Sequence, residues 1–114
     1  MSLKRVLKTL ESFGLSRVES EVYVYLAKAG PSKAEELSTG LRMTKQQLYS
    51  ALKGLREKGI VASRPERARL FSALAFEELL DLFMKLSAEK AKAVRETKQE
   101  LVDSWRDMIQ QNNS

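Results

Sequence analysis

Three helix-start signals follow one another within the first half of this 114-residue chain. They are SRVE (16–19), SKAE (32–35) and TKQQ (44–47). In each, a hydroxyl side chain can accept a hydrogen bond from an unpaired amide, and the acid or amide three residues later can return one. Gly30-Pro31 separates the first two of these helices, and Gly40 is predicted to adopt positive φ in a turn before the third. The chain is therefore expected to begin as a bundle of short helices.

The spacing of apolar residues predicts which face of each short helix is buried. A further helix, over residues 2–13, precedes the three capped ones and ends at Gly14. The residues predicted to face inward are Leu3, Val6, Leu7, Leu10 and Phe13 in the first helix, Val18, Val22, Tyr25, Leu26 and Ala29 in the second, Ala34 and Leu37 in the third, and Leu48, Ala51, Leu52 and Leu55 in the fourth.

After Gly59 the pattern changes twice. The segments IVASR and ARLFSA are short, alternating and rich in β-formers, and Pro65-Glu66 lies between them, which predicts a hairpin. From Phe76 to about Ile109 the sequence contains neither proline nor glycine and keeps a helical period, for a length of about 50 Å at 1.5 Å per residue. The order predicts a mainly α (α+β) fold. Residues 1–75 would form a winged helix-turn-helix with a two-stranded β-wing, and residues 76–114 a long C-terminal dimerisation helix.

The residue types that are missing exclude several classes of site. The sequence contains no cysteine and no histidine, so disulfides, thiol chemistry and all Cys/His metal sites are excluded. We expect no enzyme activity, no catalytic residue, no metal and no cofactor. There is no apolar run long enough for a membrane span and no signal peptide, so we expect a cytoplasmic protein without a membrane partner.

Positive charge is concentrated in the first two thirds of the chain. Residues 1–75 hold 14 Lys and Arg against 7 Asp and Glu, whereas residues 76–114 hold 6 against 8. Within the first part, residues 41–73 hold 8 against 2. This segregation favours a module that binds a polyanion, joined to an association element. The alternative, a generally basic soluble protein, would not require it.

The helix that starts at TKQQ occupies the position that enters the DNA major groove in a winged helix-turn-helix. Gln46 can pair with adenine and Lys45 can donate to guanine. A basic exposed face is also common on ordinary solvated helices, so its place before an arginine-bearing hairpin decides in favour of DNA. The predicted DNA-contacting residues are Lys45, Gln46 and Tyr49 for bases, Ser32, Lys33, Arg42, Thr44, Ser50, Lys53 and Arg56 for the backbone, and Arg64, Arg67 and Arg69 in the wing.

The long C-terminal helix carries an apolar seam at alternating four- and three-residue steps. Seven of nine positions from Leu80 to Met108 are apolar, and Ser87 and Lys98 are the exceptions. The predicted homodimer interface is Leu80, Met84, Ala91, Val94, Leu101, Trp105 and Met108. In the alternative, the helix folds back on its own core, which could cover the first of these residues but not the last. A parallel and an antiparallel pairing both remain open.

Three segments between about Leu10 and Leu80 stand out as a set: GLSRVESEVYVYL, LYSALKGLREKGIV and FSALAFEELL. Together they resemble the DNA-binding domain of the TrmB family of transcription regulators. The resemblance implies binding of double-stranded DNA by a homodimer to control transcription. It also implies base reading by Lys45, Gln46 and Tyr49. The family's usual Gly-Val-Pro-Arg-Thr entry to the recognition helix is replaced here by RMTKQ (42–46), so its operator preference does not transfer.

Full-length members of the family add a C-terminal sugar-binding domain, and we expect this chain to lack it. No sequence feature identifies a small-molecule effector. Two other functions remain open beside sequence-specific regulation. One is a winged-helix adaptor between proteins in a larger complex, and the other is an architectural DNA-binding protein without a preferred sequence.

Overall fold

The computed structural model describes residues 2–65 and 69–113. The predicted wing residue Arg67 therefore lies outside the described residues. The elements in chain order are α1 (Leu3–Ser12), α2 (Arg17–Ala29), β1 (Ser32–Lys33), α3 (Ala34–Leu41), α4 (Lys45–Glu57), β2 (Val61–Arg64), β3 (Leu70–Ala73) and α5 (Phe76–Asn113). This is the predicted winged-helix order with a long C-terminal helix.

A small antiparallel sheet follows the helix-turn-helix. Strands β2 and β3 form the predicted hairpin, with Val61 opposite Ala73 and Arg64 opposite Leu70. The predicted two-stranded wing is confirmed, but the prediction missed a third strand, because β1 pairs with the other edge of β3 and gives the order β1-β3-β2. A two-residue strand carries no alternating pattern of its own, so only its partner reveals it.

Two of the three predicted helix starts are confirmed and one is wrong. Both Ser16 and Thr44 form complete capping boxes. Ser32, however, lies in β1 opposite Phe71 and is only 4% exposed, and its hydroxyl donates to the Gly30 carbonyl at 2.8 Å. Helix α3 instead starts after Lys33, whose amide donates to the Glu36 carboxylate at 3.1 Å. The SKAE pattern predicted that Ser32 caps α3, but in the structure Ser32 pairs within the sheet instead.

The predicted turn at Gly40 is also wrong. Gly40 lies inside α3, and the left-handed residue that ends this helix is Arg42, with φ of 54°. A Cβ added to Gly40 would overlap the hydroxyl and ring of Tyr25 from α2. Glycine is therefore needed here for close approach between two helices rather than for positive φ.

The core confirms the inward face of α4 and corrects that of α2. Leu48, Ala51, Leu52 and Leu55 are all buried, as predicted. In α2 the buried aromatic is Tyr23, which is 1% exposed and donates its hydroxyl to the Leu74 carbonyl at 2.7 Å, whereas Tyr25 is half-buried. Burial raises the pKa of Tyr23 to about 12. In α1 only Leu7 and Leu10 are buried.

Two compact units can be distinguished, residues 1–79 and residues 80–114. The first contains the helix-turn-helix, the sheet and the beginning of α5, and the second is the remainder of α5. Among residues 2–65 and 69–113, no helix combines the length and the apolar character needed to cross a membrane.

Candidate nucleic-acid interface

The start of α4 is held by reciprocal hydrogen bonds. The Thr44 hydroxyl accepts from the Gln47 amide at 3.1 Å, and the Gln47 side-chain oxygen accepts from the Thr44 amide at 3.2 Å. These bonds satisfy two amides that the first turn leaves unpaired. With the buried leucines on the opposite face, they determine which side chains of the first two turns point away from the core.

The side chains predicted to contact DNA are almost all exposed. The exposed residues are Lys33, Arg42, Thr44, Lys45, Gln46, Tyr49, Ser50, Lys53, Arg56, Arg64 and Arg69. Ser32 is the exception, because its buried hydroxyl is already bonded to the Gly30 carbonyl, and it is left out of the candidate surface. Of these exposed predicted residues, α4 contributes three cations and three polar side chains.

Four of these residues, Lys33, Lys45, Tyr49 and Arg69, line one small recess, here called the cationic recess. Its remaining lining is Ala34 and Glu35, and its volume is about 170 Å³. The pairing of Lys33 with Leu70 brings the end of β1 beside the residue that precedes β3. Arg69 lies with its guanidinium carbon 5.5 Å from the centre of the Phe71 ring. Three segments that are distant in the chain therefore contribute to one site.

The other predicted residues lie elsewhere on the surface. Ser50 borders a separate depression with residues of the α2 N-terminus, among them Ser16 and Glu19. Arg64 is the last residue of β2. The predicted contacts thus extend from the hairpin across α4 to the start of α2, and the recess gathers four of them.

Glu19 ties the start of α2 to the end of α4, a role that its capping pattern did not predict. Its carboxylate accepts from the Ser16 amide at 2.8 Å and from Lys58 Nζ at 2.9 Å. Glu19 is 8% exposed, and a Cβ on Gly54 would overlap its carboxylate. Burial raises the pKa of Glu19, but the hydrogen bonds from Ser16 and Lys58 and the Lys58 charge outweigh it, so the pKa lies below its ordinary value.

We expect Glu19→Gln to lower the free energy of unfolding by about 1–3 kcal/mol at pH 7, since the buried carboxylate that pairs with Lys58 is replaced by a neutral amide. Because the folded-state pKa is lowered, this stabilisation is complete above the unfolded-state pKa of about 4.3 and is lost as pH falls through the folded-state value. Urea unfolding at pH 7 and pH 3 measures the change.

Glu21→Gln is the matched control for this prediction. Glu21 lies on the same helix and pairs with Arg17 at 2.9 Å, but both side chains are largely exposed. Its substitution should therefore have a much smaller effect at both pH values. An equal difference between wild type and Glu19→Gln at pH 7 and pH 3 would contradict the proposed role of the carboxylate.

Comparison with known proteins places the helix-turn-helix and sheet in a defined family. The family described as "Sugar-specific transcriptional regulator TrmB" matches residues 10–77, more than half of the chain. The chain belongs to the TrmB family. The sugar-sensing regulator TrmBL1 of Pyrococcus furiosus is 32% identical over 78 residues, which are 68% of this chain and 23% of that protein.

Two further matches, both to TrmBL2, extend beyond the residues that the family model covers. The DNA-binding repressor TrmBL2 of Thermococcus kodakarensis is 26% identical over 104 residues, which are 88% of this chain and 39% of that protein. A solved structure of TrmBL2, described as an archaeal chromatin protein, superimposes with a TM-score of 0.80 at 23% identity, covering 96% of this chain and 42% of that one. This chain spans about a quarter to two fifths of the length of these TrmB relatives.

Proposed function

We propose that this chain binds double-stranded DNA and regulates transcription, with α4 in the major groove and the β2–β3 hairpin on the backbone or minor groove. The observation that carries the proposal is the exposed face of α4, which is positively charged and held by a capped start and a leucine core. Such a face at the third-helix position of a winged helix is the usual reading surface for DNA. The named activities of the curated TrmB relatives agree with this function.

Charge supports a nucleic acid as the partner. Residues 41–73 hold 8 Lys and Arg against 2 Asp and Glu, and these residues include α4 and the hairpin. A surface of this kind attracts the phosphate backbone and displaces its counterions. Binding without sequence preference requires no more than this charge, so sequence preference must come from the polar side chains of α4.

We further propose that the protein acts as a homodimer through α5. The predicted interface residues Met84, Ala91, Val94, Leu101, Trp105 and Met108 are exposed, and Leu80 is half-buried. Trp105 is 61% exposed and Leu101 is 56% exposed, on a helix that repeats apolar residues at heptad spacing. Pairing two copies of this seam would remove a long apolar stripe from water.

The test of sequence reading is Gln46→Ala. Gln46 is exposed in the first turn of α4, where a side-chain amide can pair with two atoms of adenine. We expect the variant to lose about 1–3 kcal/mol of binding free energy on the best sequence and almost none on unrelated duplexes. Selection from a random oligonucleotide pool, followed by titration of the selected duplex, measures both.

Gln110→Ala, which removes an exposed glutamine from α5, is the control and should bind like wild type. If selection with the wild-type chain enriches no sequence although duplex DNA is bound, an architectural role replaces sequence-specific regulation. If no duplex is bound even at low salt, the proposed function is wrong.

A further inference from the structure

We propose that the cationic recess is the seat of a single DNA backbone phosphate, held by Lys33, Lys45 and Arg69 with the Tyr49 hydroxyl as an additional donor. The inference rests on the proposed DNA binding and assigns one chemical group to one place in that interface. It also changes the role of two residues, since Lys45 and Tyr49 were predicted to read bases.

The charge of the recess favours a phosphate. Three cations and one carboxylate, Glu35, line it, so its net charge is +2. Within the described residues, none of the ion pairs closer than 4.0 Å involves Lys33, Lys45 or Arg69. The cations therefore remain available to an anion from outside the protein. A phosphate oxygen that meets several Lys and Arg donors forms the stronger, charge-assisted class of hydrogen bond.

The construction of the recess supports one bound group rather than a diffuse patch. Lys33 is contributed by β1, Lys45 and Tyr49 by α4, and Arg69 by the residue before β3. The β1–β3 pairing fixes the first and last of these relative to each other, and Arg69 lies over the Phe71 ring. At about 170 Å³ the recess is small, which suits one phosphate group with part of its hydration.

A consequence follows for how α4 reads DNA. If Lys45 and Tyr49 lie on the backbone, their substitution weakens binding to every sequence, because phosphate contacts carry no sequence information. Gln46, which does not line the recess, then remains as the predicted base-reading residue in the first turn. The phosphate seat would determine how deeply and in which register Gln46 enters the groove.

The experiment is a scan of single neutral methylphosphonate substitutions along the highest-affinity selected duplex, with the full chain. In wild type, we expect one position per half-site at which neutralisation weakens binding about tenfold or more, since several charged hydrogen bonds are lost. In Lys33→Ala/Lys45→Ala/Arg69→Ala, the same position should change affinity less than about twofold, because the protein change and the DNA change remove the same contact. All three residues are exposed, so thermal unfolding should change little.

Lys53→Ala is the matched control, because Lys53 is an exposed lysine of α4 outside the recess. In this variant, neutralising the same phosphate should still weaken binding about tenfold. A second measurement needs no preferred sequence. The slope of log affinity against log salt should fall by about 0.9 per protomer in the triple variant, which is the value for one phosphate, and not by the roughly 2.7 of three independent contacts.

Two results would overturn the phosphate seat. One is a triple variant that keeps the full methylphosphonate sensitivity of wild type at every position, and the other is a slope change of two or more phosphates. Both leave DNA binding by the wild-type chain intact, so they contradict the seat alone. Failure of the wild-type chain to bind any duplex at low salt would instead contradict the proposed function itself.

Discussion

Gly40→Ala is expected to destabilise this protein, although alanine inside a helix is normally the more stable residue. Gly40 lies within α3, where the exchange would contribute about 0.5–1 kcal/mol through the unfolded chain and helix propensity. The added Cβ would, however, overlap the hydroxyl and the ring of Tyr25. An entire ring edge must then move, and overpacking of this kind costs about 1–3 kcal/mol. The net effect should be a loss of stability.

The effect of Gly40→Ala on stability should change sign once the Tyr25 ring is removed. In a Tyr25→Ala background, Gly40→Ala has no ring to displace, and we expect it to stabilise the chain by up to about 1 kcal/mol. Urea unfolding of the four proteins in this double-mutant cycle measures both effects. Stabilisation by Gly40→Ala in the wild-type background would show that the α2–α3 contact can relax and would contradict the prediction.

Leu101→Glu is expected to convert the proposed dimer to monomers. Leu101 is 56% exposed in the single chain and lies in the C-terminal half of the apolar seam of α5. Burial of a leucine side chain contributes about 1.5–3 kcal/mol, and a dimer contains two copies, so replacing it with a carboxylate should raise the dissociation constant at least a hundredfold. Sedimentation equilibrium of the full chain over a range of concentrations measures this change.

Gln110→Glu is the matched control for the seam. It makes the same change in charge nine residues further along α5, about 180° around the helix from Leu101 at 100° per residue. This variant should remain dimeric. A monomeric wild-type chain would contradict the proposed dimer interface on α5. So would a Leu101→Glu variant that associates as wild type does.

Loss of the dimer should also weaken DNA binding. Two linked DNA-binding units bind a two-part site more tightly than one unit does, by a factor of about 10²–10⁴ when both can bind at the same time. Leu101→Glu should therefore reduce affinity for a two-part duplex and leave affinity for a single half-site nearly unchanged, although residue 101 is not predicted to contact DNA.

Several parts of the fold could be predicted because their causes are local. The caps at Ser16 and Thr44 depend on residues three positions away, and both are present in the structure. The inward face of α4 follows from its helical period alone. The hairpin follows from two short β-rich segments joined by a loop, and α5 from a long segment without proline or glycine. These patterns also identified the exposed residues of α4.

Only the tertiary structure could decide the features made by residues far apart in the chain. The sequence by itself determined where α2 and α4 begin, which face of α4 is buried and where charge accumulates, because neighbouring residues set these properties. Ser32 pairs with Phe71 instead of capping a helix, and Gly40 lies against Tyr25 instead of forming a turn. Glu19 forms an ion pair with Lys58. Likewise, Lys33, Lys45 and Arg69 surround one recess only because β1 pairs with β3 beside α4. Such contacts depend on how elements pack, and no local period or spacing encodes them.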